Sequence, residues 1–134
     1  MNLSTSYLGL SLANPLVVGA SPLADELDSV KKFVDAGAAA VVMRSLFEEQ
    51  LQQESLAAMK HLDGHSDFYA EATSYFPSTD VFALRAEAYL QQLRRIRDAV
   101  PVPVIASLNG TTLGGWLDYA QQLEQAGASA LELN

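Results

Sequence analysis

Polar residues stand at the ends of short apolar runs in this sequence, where parallel α/β folds carry their chemistry. The residues at these ends are Ala20, Ser21, Arg44, Ser45, Ser107, Asn109, Glu132 and Asn134. Arg44 is a fixed cation suited to an electron-rich heterocycle or a carboxylate. Ser21, followed by Pro22, can offer a backbone amide and a hydroxyl to a ring-shaped ligand. We therefore expect one ligand to contact several of these residues at one rim of a sheet.

A purely structural interpretation stays open for each of these positions. Ser21 is also typical of a residue that turns the chain. Arg44 is equally consistent with a structural salt bridge. Asn109 precedes a glycine, which is the favoured chemistry of a tight turn, and Asn134 can be no more than the end of a strand.

Acidic residues are expected in paired or solvated positions. Glu132 lies between two leucines, so its side chain points to the opposite side of a strand from theirs. A carboxylate on that side is destabilising unless it is paired, so we expect a structural ion pair with a cation such as Arg44 rather than general-base catalysis. Asp25 is a candidate N-cap of the next helix, and Asp25 and Glu26 are expected at a solvated helix start.

The residue types exclude some chemistry and weaken other kinds. Thiolate chemistry is excluded because the 134 residues include no cysteine. His61 and His65 have i, i+4 spacing, but no nearby glutamate completes a metal-binding pattern and Gly64 weakens a helix there. We expect both histidines in a solvent-exposed loop, and we predict no metal site.

Two similar segments, 36–42 and 126–132, mark the ends of helices and the starts of strands. Both contain a glycine that suits the left-handed backbone conformation after a helix. Helical periodicity precedes the first of them, with Leu27, Val30 and Val34 on one face. Apolar strands alternating with such helices predict a parallel sheet covered by helices. Four buried strands are predicted, near 16–20, 40–43, 103–107 and 130–133.

Two features lie outside this alternation. Residues 3–7 and 10–12 flank Leu8-Gly9 and predict a small hairpin that closes the floor of a barrel. The connection after the second strand, residues 44–80, is much longer than the usual connection, which favours a lid or a substrate wall. Its first part, residues 46–62, is rich in Glu, Gln, Leu and Ala and predicts a helix.

Length and charge limit the domain count and the partners. A chain of 134 residues, 49% of them hydrophobic, is long enough for one domain. Its net charge of −8 disfavours nucleic acid and anionic lipid surfaces. The sequence has no apolar run of membrane-spanning length and no signal-peptide pattern. We expect a soluble cytoplasmic protein that acts on a small molecule, without nucleic acid or membrane as a partner.

Several segments resemble the class I dihydroorotate dehydrogenase family, and in particular its dihydroorotate dehydrogenase-like branch. They are residues 7–10, 14–16, 19–22, 42–46, 104–110 and 130–134, and the resemblance covers nearly all of the chain in order. Members of that family are TIM barrels that use flavin mononucleotide (FMN) to oxidise dihydroorotate to orotate in pyrimidine synthesis. The resemblance therefore implies an α/β fold, an FMN-dependent oxidoreductase and a small-molecule substrate with a reactive CH–CH group.

The resemblance also implies which residues contact FMN. They are Ala20, Ser21, Arg44, Ser45, Asn109 and Asn134. Ser45 matches a family serine at the flavin, and Asn134 resembles the asparagine of a Glu-Leu-Asn motif that contacts flavin or substrate. Arg44 stands where the family usually has a lysine close to the flavin ring. A guanidinium can still stabilise negative charge on reduced flavin, but its shape differs, so a related small molecule is an alternative to dihydroorotate.

In the family, the catalytic base and the phosphate-binding loops follow the fourth strand. We therefore expect residues 1–134 to be one incomplete domain, the N-terminal half of a (β/α)8 TIM barrel with four parallel strands and an N-terminal hairpin. We expect such a chain, by itself, neither to retain FMN nor to oxidise dihydroorotate. We also expect it to self-associate through its open barrel edges or to be unstable. One alternative is a non-catalytic half-barrel that self-associates through its open edges as a binding module. Another is a barrel enzyme without flavin, although no lysine at a strand end supports an aldolase.

Overall fold

Strands and helices alternate along the chain in a computed structural model that describes residues 2–47, 86–110 and 112–134. The elements are β1 (Thr5–Tyr7), β2 (Leu10–Leu12), β3 (Val17–Val18), a 3-10 turn (Pro22–Asp25), α1 (Leu27–Asp35), β4 (Ala40–Val42), β5 (Leu46–Phe47), α2 (Ala86–Ala99), β6 (Val104–Asn109), α3 (Leu113–Gln125) and β7 (Ala130–Leu133). None of the helices in these ranges is long and apolar enough to cross a membrane.

The main sheet has four parallel strand positions in chain order. Ile105 of β6 pairs with Val42 of β4 and with Ala130 of β7, so β4 and β7 lie on opposite edges of β6. Leu108 likewise pairs with both β5 and β7. β4 and β5 are therefore two segments of one interrupted strand, and β3 pairs with β4 on its far side. This confirms the prediction of four parallel strands, with the first one shorter than expected and the third extending to Asn109.

A short strand lies at the start of the stretch 46–62, which was expected to hold a helix. Leu46 and Phe47 form this strand, β5. Leu46 is only 2% exposed and pairs with Leu108, so burial and strand pairing outweigh the helix-forming composition that follows. The rest of the predicted helix, and His61 and His65 with it, lie outside the described residues.

Side chains alternate between two faces of the sheet, and the three described helices pack on one of them. The helix-facing core combines strand residues such as Val41 and Val104 with helix residues such as Val30, Leu93 and Leu123. The opposite face is covered at the amino-terminal ends of its strands by the β1–β2 hairpin, whose residues pair in antiparallel register. That second cluster contains Leu12, Ala39, Ala40, Val42 and Ile105. On the same face, the carboxyl-terminal ends of the strands carry the polar side chains described below.

The two similar segments of the sequence form the same helix ending. Gly37 and Gly127 have φ values of 102° and 93°, in the left-handed region where glycine is favoured. After α1, the amide of Gly37 donates to Val34 O and the amide of Ala38 donates to Phe33 O. The corresponding bonds recur after α3, so both helices end in a Schellman motif. The predicted role of both glycines is confirmed.

Replacing Gly37 tests this helix ending. A Cβ at Gly37 meets open space, so Gly37→Ala should destabilise the fold by backbone strain alone, about 1–2 kcal/mol in urea unfolding. Gly114→Ala is the matched control, because Gly114 lies within α3 and its added Cβ also meets open space. The control should be neutral or stabilise by up to about 1 kcal/mol. Equal stability of Gly37→Ala and wild type would contradict the left-handed conformation.

Candidate functional site

The site is built around an interruption in the second strand position. Between the pairs Val42↔Ile105 and Leu46↔Leu108, residues 43–45 lie opposite residues 106–107, so three residues face two. An extra residue of this kind is a bulge, and it changes which face of the sheet each following side chain occupies. In a regular strand residue 45 would share the face of Met43. Here Leu46 joins Met43 in the helix-facing core, and Ser45 turns to the opposite face.

A tyrosine hydroxyl fills the hydrogen-bonding gap left by this bulge. Ser107 N–H donates to the Tyr89 hydroxyl oxygen at 3.2 Å, and the hydroxyl lies 3.4 Å from Ser107 O, to which it donates. Tyr89 is fully buried in α2, and burial raises the pKa of its hydroxyl to about 12. This role of Tyr89 was not predicted from the sequence. The available signal was that a buried tyrosine hydroxyl needs a polar partner.

Four polar side chains converge on the sheet face opposite the three described helices. Ser107 Oγ lies 2.8 Å from Glu132 Oε1 and 2.8 Å from Ser45 Oγ. Asn134 Nδ2 lies 3.1 Å from Ser107 Oγ, 3.2 Å from Glu132 Oε1 and 3.5 Å from Ser45 Oγ. Ser107 is fully buried at the centre, whereas its three neighbours are partly or fully exposed. We call these residues, Ser45, Ser107, Glu132 and Asn134, the polar cluster.

The polar cluster joins three strand positions that are distant in sequence. Ser107 and Glu132 are register partners on β6 and β7, so neighbouring parallel strands bring their side chains together on one face. Asn134 follows β7 on the same face, and its backbone N–H donates to Leu108 O. Two of the sequence-predicted ligand residues, Ser45 and Asn134, therefore meet. Ser107 and Glu132 complete the group.

Arg44 has a different partner from the one expected. Its Nη2 atom lies 3.0 Å from Asp25 Oδ2, and both side chains are 21% exposed. Glu132 instead accepts hydrogen bonds from Ser107 and Asn134. The predicted ion pair between Arg44 and Glu132 is wrong because the bulge turns Arg44 away from the polar cluster. The guanidinium reaches the turn that follows β3 and makes no hydrogen bond to Asn134 within the described part.

Asp25 is neither a helix cap nor a solvated residue. The N-cap position of α1 is Glu26, and no side chain caps this helix. Burial raises the pKa of Asp25 above its usual value, Arg44 opposes this shift, and Glu26 adds to it. Asp25 Oδ1 is buried without a hydrogen-bond partner among the described residues. The expectation of a solvated helix start is therefore wrong for Asp25, whereas Glu26 is exposed at the N-cap of α1. Arg44 offsets the charge of the half-buried Asp25 carboxylate.

The remaining predicted residues lie near strand ends. Ala20 is exposed, and Ser21 has an extended backbone whose carbonyl accepts from Ala24 N–H at 3.0 Å. Asn109 is the last residue of β6 and pairs with Phe47, rather than forming a turn with Gly110. Strand alternation places Asn109 on the same face as Ser107. Within the described ranges, no hydrogen bond links these three residues to the polar cluster.

Comparisons with known proteins leave the family open. A scan against protein-family models finds no match to this chain. A search of curated proteins finds no significant match. The resemblance to the dihydroorotate dehydrogenase family thus stays a prediction that depends on the residues of the sequence.

Tyr89→Phe tests the bridge across the bulge. The substitution leaves Ser107 N–H and C=O without partners in a buried strand, so we expect a loss of about 1–3 kcal/mol at neutral pH in urea unfolding. Alkaline pH gives a second measurement. Because the folded-state pKa is raised from 10.0 to about 12, wild type should lose stability as pH rises from 10 towards 12, up to roughly 3 kcal/mol.

Tyr89→Phe has no hydroxyl to ionise and should lack this alkaline loss. The difference in tyrosinate absorbance between wild type and Tyr89→Phe, recorded alongside unfolding, isolates the ionisation of Tyr89 from that of the other four tyrosines. The same alkaline decline in both proteins would contradict the assignment.

The pair of Arg44 and Asp25 predicts an unequal response to two substitutions. Arg44→Met leaves a half-buried carboxylate without its cation, which should cost about 1–3 kcal/mol of unfolding free energy. Asp25→Asn removes the charge that burial disfavours, and the remaining guanidinium is still partly solvated, so we expect a loss of at most about 1 kcal/mol. A larger loss for Asp25→Asn than for Arg44→Met, measured at pH 7, would contradict this account.

Proposed function

We propose that this chain forms one wall of the FMN site of an oxidoreductase similar to class I dihydroorotate dehydrogenases. The observation that carries the proposal is the polar cluster. Its members come from three separate segments that resemble that family, 42–46, 104–110 and 130–134, and they meet within 3.5 Å. They stand towards the carboxyl ends of parallel strands, on the face opposite the described helices. Parallel barrels bind their ligands at that end of the strands.

The chemistry of the polar cluster fits a flavin ring better than a phosphate. Its side chains are two hydroxyls, a carboxamide and a carboxylate, none of which carries a positive charge. Such groups hydrogen-bond the polar edge of a heterocycle, whereas a phosphate needs cations or a set of backbone amides. Half-buried Ser45 and exposed Asn134 are the residues we assign to the ring. Asn109, on the same face, is a third contact in this proposal.

Two further assignments depend on the turn after β3. Ala20 is exposed at that strand end, and Ser21 has an extended backbone, so both are available to a ring lying over the sheet. Arg44 is held by Asp25, and in our proposal it supports this turn and supplies positive charge beside the ring rather than a direct hydrogen bond. A rigid turn and a fixed charge favour a preorganised ligand site.

The reaction we propose is oxidation of a CH–CH bond in dihydroorotate or a related small molecule. Bound flavin would supply the two-electron acceptor for that reaction. The residues of this chain bind and orient: Ser45 and Asn134 hold the ring edge, and fully buried Ser107 keeps both in place. The catalytic base of such a reaction is not assigned to any described residue.

The proposed architecture is the first half of a (β/α)8 barrel. Sequential parallel strands, helices on one face and a hairpin under the other support it. In such a barrel the polar cluster would face the central axis. The other walls and the phosphate site would then come from strands beyond these four, so we expect this chain alone to bind FMN weakly.

Chemical-shift mapping of the ¹⁵N-labelled chain with FMN tests this function. We expect fast-exchange shifts confined to the carboxyl-terminal ends of the strands, at Ser21, Ser45, Asn109 and Asn134. The dissociation constant should be on the order of 1 mM, because one wall makes few contacts. Gel filtration should consequently remove the flavin.

Ser45→Ala should weaken these shifts, while Ser11→Ala in the hairpin, on β2, serves as the matched control. Shifts scattered over the helices, or none at the polar cluster at millimolar FMN, would contradict the proposal. A flavin that stays bound through gel filtration would show that the chain builds a fuller site than one wall.

A further inference from the structure

The hydrogen bonds of the polar cluster run in one direction, and Glu132 sets it. A carboxylate can only accept, so Ser107 must use its single hydroxyl proton to donate to Glu132 Oε1 at 2.8 Å. The Ser107 oxygen can then only accept from Ser45, 2.8 Å away. The chain of donation is therefore Ser45 to Ser107 to Glu132, with the buried Ser107 as the link.

The same carboxylate orients the carboxamide of Asn134. Its three hydrogen bonds all use Nδ2, and the two shorter ones go to Ser107 Oγ at 3.1 Å and to Glu132 Oε1 at 3.2 Å. Rotating the amide would place Oδ1 against the negative oxygen of Glu132 and against a hydroxyl whose proton is already used. Oδ1 must therefore point away from Glu132, and it makes no hydrogen bond within the described part of the chain.

We propose that Glu132 is a positioning residue that leaves the side chains of the polar cluster with acceptor atoms only, so that the cluster selects ligand groups that donate. The atoms still open to a ligand are Asn134 Oδ1 and a lone pair of Ser45 Oγ. A neutral ring with an amide or imide N–H fits them, whereas a carboxylate or phosphate oxygen meets a second acceptor and is rejected. Glu132 itself need not touch the ligand.

This inference rests on the proposed function in one respect, that a ligand faces the polar cluster. The direction of the hydrogen bonds is independent of flavin, so this inference and the proposed function can fail separately. Signals of the Asn134 carboxamide report the direction without any ligand. FMN mapping reports the site without reference to Glu132.

The first measurement is the ¹H–¹⁵N spectrum of the Asn134 side chain in the unliganded chain. In wild type, both Nδ2 protons should lie downfield of the values of a free carboxamide because each has an acceptor. In Glu132→Ala they should move towards the values of a free carboxamide. Glu124→Ala, on exposed α3, is the control that removes the same charge elsewhere and should leave the signals unchanged.

The second measurement is ligand preference, with succinimide as an N–H donor and N-methylsuccinimide as its matched non-donor. Wild type should show shifts at Ser45 and Asn134 with succinimide, and an affinity about fivefold lower for the methylated ring, the loss of one hydrogen bond. Glu132→Gln, whose amide can donate, lets the chain of hydrogen bonds reverse. It should lose most of this preference while keeping the fold.

Several results would overturn the proposal. They are equal binding of the two rings by wild type, stronger binding of acetate than of succinimide at Asn134, no saturable shift at Asn134 with succinimide, and unchanged Asn134 signals in Glu132→Ala. If Glu132→Ala fails to fold, the Glu132→Gln spectrum and ring preference decide the question. An unchanged preference in Glu132→Gln would reduce Glu132 to a structural role.

Discussion

A buried strand cannot leave its backbone N–H and C=O groups without partners, and this constraint governs the centre of the molecule. Ser107 lies where the neighbouring strand position bulges, so its backbone loses the strand partners that a regular ladder provides. The hydroxyl of Tyr89 replaces them by accepting from N–H and donating to C=O. Helix α2 thereby supplies the hydrogen-bond partner that the neighbouring strand does not provide.

The bulge has chemical consequences on both sides of the strand. It turns Ser45 towards Ser107 and places Leu46 in the core, which assembles the polar cluster. It also directs Arg44 to Asp25. The positive charge of Arg44 therefore lies at the turn after β3. Glu132 instead accepts hydrogen bonds from the hydroxyl of Ser107 and the carboxamide of Asn134. Stability and ligand chemistry are linked here, because a change at Tyr89 affects the backbone of the residue at the middle of the cluster.

Features that depend on local patterns could be predicted from the sequence. The four parallel strands, the hairpin and the two glycine helix endings follow from apolar runs and from residues that favour particular backbone conformations. Ser45 and Asn134 were singled out as candidates because strand ends carry function in parallel folds, and the structure brings the two side chains together. The bulge was missed because register depends on which residues pair across distant segments, and a shift of one residue reverses the side-chain faces. The expected ion pair of Arg44 with Glu132 was wrong because Arg44 instead contacts Asp25, a residue of a distant segment.

The hydrogen bonds between Tyr89 and Ser107 also depend on residues from distant segments. The two residues are 18 positions apart in sequence, and the need for these bonds arises only from the bulge in a third segment. Nothing in the helical pattern around Tyr89 distinguishes it from other buried positions of α2, apart from a hydroxyl that must be satisfied. Buried polar atoms are therefore the places where a sequence-based reading of such a fold needs the tertiary structure most.

Hydrogen exchange at the Ser107 amide tests this central claim most directly. In wild type the amide should be protected as strongly as its neighbours on β6, because a buried hydroxyl accepts its proton. In Tyr89→Phe, compared at matched overall stability, protection should fall at Ser107 and persist at the neighbouring β6 amides. Fast exchange of Ser107 in wild type, or a uniform loss along β6 in the variant, would contradict the account.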